Sequence, residues 1–225
     1  MKQLLEENLD IVIQNIERAR LSVSGHHIVK LVAVSKYSDI KSIKTMYECG
    51  QRAFGENQVQ QLQERVLDLE ELPLEWHFQG SLQKNKINKL IDIKPTLMHS
   101  LDSIELATAL DERLKVKNLK MNCLLQINSS NEDSKSGLSC EEAKDVYQEI
   151  LERCKNINLK GVMSIGAMDK NLTQKSFEDT YKIYEKLPNA SICSMGMSSD
   201  YELAIKCGSN LVRVGSSLFG NKNEQ

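Results

Sequence analysis

The chain has 225 residues, 40% of them apolar and 27% charged, with a formal net charge of −2, the composition of an ordinary water-soluble globular protein. Its 29 basic and 31 acidic residues create no overall field that would draw nucleic acid or an anionic membrane, and no apolar run approaches the ~20 residues of a membrane span. Six cysteines without a CxxC pair, four histidines without metal-ligand spacing and an acid-bearing start, MKQLLEENLDIVIQ, lead to the expectation of a cytoplasmic protein with free thiols, no signal peptide and no bound metal.

Leu5, Leu9, Val12, Ile13 and Ile16 recur at steps of three and four, which predicts an amphipathic helix over 3–20. The apolar run Leu31-Val-Ala-Val34 then reads as a strand of a parallel sheet covered on both faces. Lys36 stands at its carboxyl end, in the loop before a helix that Asp39 caps and Gly50 closes. A lysine held against apolar walls at that edge can lose its proton and act as a nucleophilic amine. The same position also suits a lysine that snorkels from a strand end.

The unit then repeats. Arg52–Asn57 reads as a very short strand and loop before a helix over 59–69; Glu75–Gly80 is the third strand, with a helix through Leu82, Ile87 and Leu90. Thr96–Ser100 is the fourth, followed by a helix capped by Asp102 or Ser103. Met121–Ile127 is the fifth, and a polar loop over 128–137 leads to a helix opening at Ser139 with Glu142 in a capping box. Leu159–Ile165 is the sixth, with a helix over 177–187. Ala190–Met195 is the seventh, with a short helix ending at Cys207 and Gly208; Leu211–Val214 is the eighth.

Eight short apolar runs alternating with helices predict an α/β fold, a single (β/α)8 TIM barrel with an extra N-terminal helix. Three prolines and no low-complexity tract mark no boundary, so residues 1–225 read as one domain. Only ten residues follow Gly215, so the N-terminal helix is expected to cover the gap beside the eighth strand. An open doubly wound sheet is the competing fold, and the absence of GxGxxG after the first strand counts against it.

In a barrel, loops after strands 7 and 8 commonly form a phosphate cup. Here they carry Ser198-Ser199-Asp200 at the start of a helix and Gly215-Ser216, which offer N–H groups, hydroxyls and close backbone approach. Each pair alone is ordinary capping chemistry. Strand 1 adjoins strand 8 in a closed barrel, which sets Lys36 near the cup. An amine beside a phosphate site suits a phosphorylated aldehyde or ketone held as a Schiff base, and pyridoxal 5'-phosphate (PLP), the active form of vitamin B6, fits.

The motifs Leu31-Val-Ala-Val-Ser-Lys36, Phe54-Gly-Glu-Asn57, Trp76-His-Phe-Gln-Gly80 with Leu82-Gln-Lys-Asn-Lys86, Ser134-Lys-Ser-Gly137, Ser194-Met-Gly-Met-Ser198 with Asp200, and Val212-Arg-Val-Gly215 through Phe219-Gly220 resemble those of the pyridoxal phosphate homeostasis protein family, in order and over nearly the whole chain. The resemblance implies the barrel of the alanine racemase N-terminal domain. It implies a Schiff base on Lys36, phosphate held by Ser198, Ser199, Gly215 and Ser216, Arg213 facing the pyridine nitrogen, and Asn57 beside the cofactor. Gln79 stands where the family often has an aliphatic residue, Ser216 where threonine is frequent and Gly166 where proline is common; Ser216 keeps the hydroxyl.

An arginine facing the ring nitrogen would oppose its protonation, because two cations in contact repel, and would leave a poorer electron sink. Without the motif, Arg213 equally suits a salt bridge. His77, His99 and Lys135 are candidate acid–base groups, although a histidine in a buried strand is more often a hydrogen-bonded core residue and a lysine in a polar loop is usually solvated. Met163, Met195, Met197 and Trp76 read as core or rim packing. Lys84, Lys86 and Lys89 read as a solvated helix face, with a secondary ligand-docking patch as the alternative.

The racemases and decarboxylases of this fold use a second, β-rich domain, and the chain ends soon after its eighth strand. The expectation is therefore a monomeric carrier that stores PLP or delivers it to PLP-dependent apo-enzymes, without a dedicated turnover reaction. The alternatives are a small PLP-dependent amino acid racemase using His77 or another barrel residue as second base and a colourless sugar-phosphate enzyme with a Schiff-base lysine.

Overall fold

The computed structural model describes residues 2–132 and 134–220. Helix α1 (Lys2–Val23) is followed by β1 (Lys30–Val34), α2 (Ile40–Glu48), β2 (Ala53–Glu56), α3 (Val59–Asp68), β3 (Glu75–Phe78), α4 (Ile87–Ile93), β4 (Leu97–Leu101) and α5 (Ile104–Val116). The second half runs β5 (Met121–Ile127), α6 (Ala143–Arg153), β6 (Ile157–Ser164), α7 (Lys170–Tyr184), β7 (Ile192–Ser194), α8 (Tyr201–Lys206), β8 (Leu211–Val214) and α9 (Ser216–Phe219). The eight strands close in sequence order into a parallel barrel, the (β/α)8 architecture that the alternation predicts. β1 closes it against β8, with Val32 opposite Arg213 and Ala33 opposite Val214.

Alternation along each strand divides the core in two. Val32, Ala53, Leu97, Leu124, Met163 and Leu211 form a small inner cluster, while their strand neighbours, such as Ala33, Phe54 and Val212, pack outwards under the helices. The inner cluster fills only part of the barrel. Towards the carboxyl ends of the strands, the interior carries His77, His99, Ser194 and Arg213, all buried.

The N-terminal helix covers the expected gap. Leu5, Leu9, Val12 and Ile16 of α1 are buried, Asn8 Nδ2 donates to the Leu218 carbonyl on α9 at 3.0 Å, and Asn15 Nδ2 donates to the Tyr201 hydroxyl on α8 at 3.0 Å. Helix α7 begins at Lys170, seven residues before the expected start, because Asp169 caps it by accepting from Asn171 N–H. The Ser139–Glu142 box forms, with Ser139 Oγ 2.7 Å from Glu142 Oε2 and Glu142 N–H donating back at 3.3 Å. It pins the turn before α6, however, and the helix proper starts at Ala143. No helix among the described residues is long and apolar enough to cross a membrane, and all six cysteines are free.

Candidate functional site

The loop that carries Lys36 is tied down from behind. Gln61 Nε2 on α3 donates to the Lys36 carbonyl at 2.9 Å, and Arg65 on the same helix donates to the Ser38 carbonyl. Ser35 Oγ donates to Glu56 Oε1 at 2.6 Å. Glu56 is fully buried, and burial pushes its carboxyl above the usual range against the pull of Ser35, Arg65 and Lys36. The outward sides of Ser35, Glu56 and α3 thus brace the main chain from which Lys36 projects. The Lys36 ammonium lies 4.9 Å from the centre of the Tyr37 ring, and the side chain is half-buried.

Just after the neighbouring strand β8, Gly215 stands against β1: a Cβ built on it would lie 3.2 Å from the Val34 carbonyl oxygen. The main-chain N–H groups of Gly215 and Ser217 both donate to Ser198 Oγ, at 3.1 and 3.2 Å. Two backbone donors converging on one oxygen form an anion-binding concavity, with the hydroxyl standing where an anionic oxygen could sit. Asp200 closes the turn ahead of α8 by accepting from Met197 N–H at 2.6 Å. Ser199 and Ser216 are exposed along the same rim, while Ser198 and Gly215 are half-buried.

Arg213 is buried and extends across the interior. One terminal nitrogen donates to the Ser194 carbonyl at 2.9 Å and to Ser194 Oγ at 2.6 Å, and the other donates to the Ser164 carbonyl at 2.9 Å. Burial lowers its pKa to about 10, so it stays charged at neutral pH. Those partners are two carbonyls and a hydroxyl, and no ion pair among the described residues includes it. The salt-bridge reading of this arginine therefore gives way to a cation solvated by main chain.

Asn57 follows β2, and Gly80 explains its placement. A Cβ at Gly80 would fall 1.8 Å from the Asn57 carbonyl oxygen, so only glycine lets the two loops approach this closely. Gln79 Nε2 is buried without a partner and occupies the space that a Cβ on Gly55 would fill. Gly55 pairs with Val34 of β1, which puts this spare amide donor on the interior wall near the lysine-bearing end.

Lys135 is held by its own loop and the next. Its ammonium donates to the Gly166 carbonyl at 2.7 Å and lies 2.9 Å from Glu132 Oε2. His77 Nδ1 and His99 Nε2 are 2.8 Å apart, so His77 is the hydrogen-bonded core histidine and not a free base. Met163 and Met195 are core, Trp76 is buried, and Met197 reaches the rim. Lys84 is exposed, and Lys86 and Lys89 are half-buried. A wide depression of about 680 Å³ lined by Lys2, Ile40, Lys41, Lys44, Thr45 and Glu48 lies on the outer face between α1 and α2, away from all of these groups.

The anticipated residues therefore converge at the carboxyl ends of β1, β2, β7 and β8. Sequence reasoning did not single out the Ser217 amide, Gln61, Arg65, Glu56 or Ser194. These act through main-chain groups or through contacts between distant elements, which no local pattern announces.

The family model described as alanine racemase, N-terminal domain, matches residues 8–223. A pyridoxal phosphate homeostasis protein of Helicobacter pylori is 52% identical over 215 residues, which are 95% of this chain and 97% of that protein. The solved structure of PipY from Synechococcus elongatus with PLP bound superposes with a TM-score of 0.80 at 30% identity, covering 96% of this chain and 100% of that one. Alanine racemase from Corynebacterium glutamicum has a TM-score of 0.73 at 16% identity and covers 98% of this chain and 61% of that one, a likeness of fold alone. With half its residues shared along almost its full length, the chain belongs to the pyridoxal phosphate homeostasis protein family.

Proposed function

We propose that this protein holds pyridoxal 5'-phosphate as a Schiff base on Lys36 and so controls the level of the free aldehyde in the cytoplasm, releasing it to PLP-dependent apo-enzymes. The observation that carries the reading is the pairing of β1 with β8. It sets a braced lysine loop beside two backbone N–H groups that converge on the Ser198 hydroxyl. The relatives' name and the PLP bound to PipY support the same reading. Six free cysteines suit a reducing compartment.

The residues present fit the group. When bound, PLP supplies an aldehyde for an amine and a phosphate dianion for a donor-lined cup. Ser198, Ser199, Gly215 and Ser216, together with the Ser217 amide, would take the phosphate. Arg213 would face the ring nitrogen and keep it unprotonated, Asn57 would stand beside the ring, and Lys36 would hold the aldehyde carbon. A permanent cation at the ring nitrogen disfavours carbanion chemistry. His77, the candidate second base of a racemase, is already engaged with His99. Both features favour a carrier over a racemase.

The test is an absorbance spectrum of the purified protein mixed with PLP, followed by borohydride reduction and peptide mass spectrometry. A visible band and a reduced adduct on Lys36, both lost in Lys36→Ala, are expected. An adduct on another side chain, or none, would overturn the proposal.

A further inference from the structure

Arg213 does not end at its contact with Ser194. Ser194 Oγ lies 3.2 Å from His99 Nδ1, and His99 Nε2 lies 2.8 Å from His77 Nδ1. His77 Nε2 has no hydrogen-bond partner and faces Glu75 Oε2 at 4.0 Å. Glu75 in turn pairs with Lys30 at the amino-terminal edge of the barrel. The four side chains come from β8, β7, β4 and β3, so the chain crosses the barrel interior, and each is buried.

Donor counting fixes its direction. A guanidinium only donates, so Ser194 Oγ accepts from Arg213; the hydroxyl could also accept from a His99 Nδ1–H, but its own buried proton would then have no acceptor among the described residues, so Ser194 donates to His99 Nδ1. A neutral imidazole that accepts at Nδ1 carries its proton at Nε2, so His99 donates to His77 Nδ1. His77 then carries its own proton at Nε2, aimed towards Glu75. Burial favours neutral imidazoles in both cases, and the positive charge of Arg213 adds to this at His99. Of the two proton arrangements that satisfy every contact from Arg213 to His77, only this one also gives the Ser194 proton an acceptor.

We infer that His99 and His77 are positioning residues for the cofactor site: their one-way hydrogen-bond chain fixes the Ser194 hydroxyl and, through it, the face that Arg213 presents to bound PLP. This rests on the proposed PLP site, and Lys36 chemistry stays separate from it. Among the described residues no carboxylate forms an ion pair with Arg213 that would lock its orientation. Its guanidinium is steered by two carbonyls and one hydroxyl rotor, and among the described residues His99 is the acceptor that sets where the proton of that rotor points.

Two measurements test this. On the cofactor-free protein, 15N NMR of labelled histidine should show His99 and His77 both as Nε2–H tautomers, with coupling across the His99–His77 hydrogen bond. An Nδ1–H tautomer at His99 overturns the chain whether or not PLP binds. On PLP addition, His99→Phe should keep the borohydride-reducible adduct on Lys36, shift the visible absorbance maximum and weaken PLP about fivefold, the loss expected for one hydrogen bond. His99→Asn, which can still accept from Ser194, should recover most of that loss. Should His99→Phe fail to fold, Ser194→Ala breaks the same chain with a smaller change and should shift spectrum and affinity alike. Wild-type spectrum and affinity in the folded variant would overturn the inference, whereas loss of the Lys36 adduct in the wild type would overturn only the PLP site.

Discussion

The side-chain amide of Gln61 donates to the main-chain carbonyl of Lys36 at 2.9 Å, so the backbone of the proposed Schiff-base lysine is held by a helix three elements further along the chain. Arg65, one turn on, holds the Ser38 carbonyl, and α3 therefore clamps the β1–α2 loop at two points. Gln61→Leu removes one clamp at similar volume. A net hydrogen bond is worth about 1 kcal/mol, so PLP should bind about fivefold more weakly in an absorbance titration. An unchanged affinity would reduce α3 to a packing element.

Ser198 Oγ accepts from the amides of Gly215 and Ser217, and in the proposed site its proton would donate to a phosphate oxygen beyond them. Ser198→Ala removes a hydrogen bond to a charged group, worth roughly 1.5–3 kcal/mol. PLP affinity should fall about ten- to hundredfold, while pyridoxal, which lacks the phosphate, should bind almost as before. Equal losses for the two ligands would show that the phosphate sits elsewhere.

The eight strands were legible because a strand buried on both faces is short and largely apolar, unbroken in Leu31–Val34 and interrupted only by Arg213 in Leu211–Val214. Helix α7 was misjudged because its first turns, Lys-Asn-Leu-Thr-Gln-Lys-Ser, hold little apolar signal and depend on the Asp169 cap. In the candidate site, the positions of Lys36 and the serines after strands 1, 7 and 8 could be read from the sequence. The amide of Ser217 could not, because a main-chain donor leaves no mark in the sequence. Glu56 was read only as part of a short strand and loop, with no role of its own. Its burial against Ser35 and Arg65 depends on how β1, β2 and α3 come together. The contact of His77 with His99 likewise exists only once β3 lies beside β4.

Gly80 is a steric requirement that can be tested directly. A Cβ there would sit 1.8 Å from the Asn57 carbonyl oxygen, too close without moving one of the two loops. Gly80→Ala should cost roughly 2–3 kcal/mol as overpacking and lower Tm by about 4–12 °C for a chain of this size. It should also weaken PLP, because Asn57 moves with the loop. A wild-type Tm would mean that the β2–α3 and β3–α4 loops relax freely and that Asn57 is not held in place.

The imidazole of His77 titrates at about 4, held down first by burial and then by Lys30, with Glu75 opposing. In the unfolded chain it titrates near 6.5. Between these values the unfolded state binds a proton that the folded state refuses. The contribution of His77 to stability is therefore complete above about 6.5 and is lost as pH falls towards 4, a change of roughly 3 kcal/mol at most. His99, which burial also holds well below its ordinary value, acts in the same direction. Urea unfolding at steps from pH 7.5 to 4.5 should show stability falling for the wild type and falling less steeply for His77→Phe. Carboxylates such as Glu132, lowered by Lys135, contribute alike to both proteins and cancel in the difference. Parallel curves would mean that His77 takes up its proton as readily in the folded protein as in the unfolded chain, against the burial that holds its pKa down to about 4.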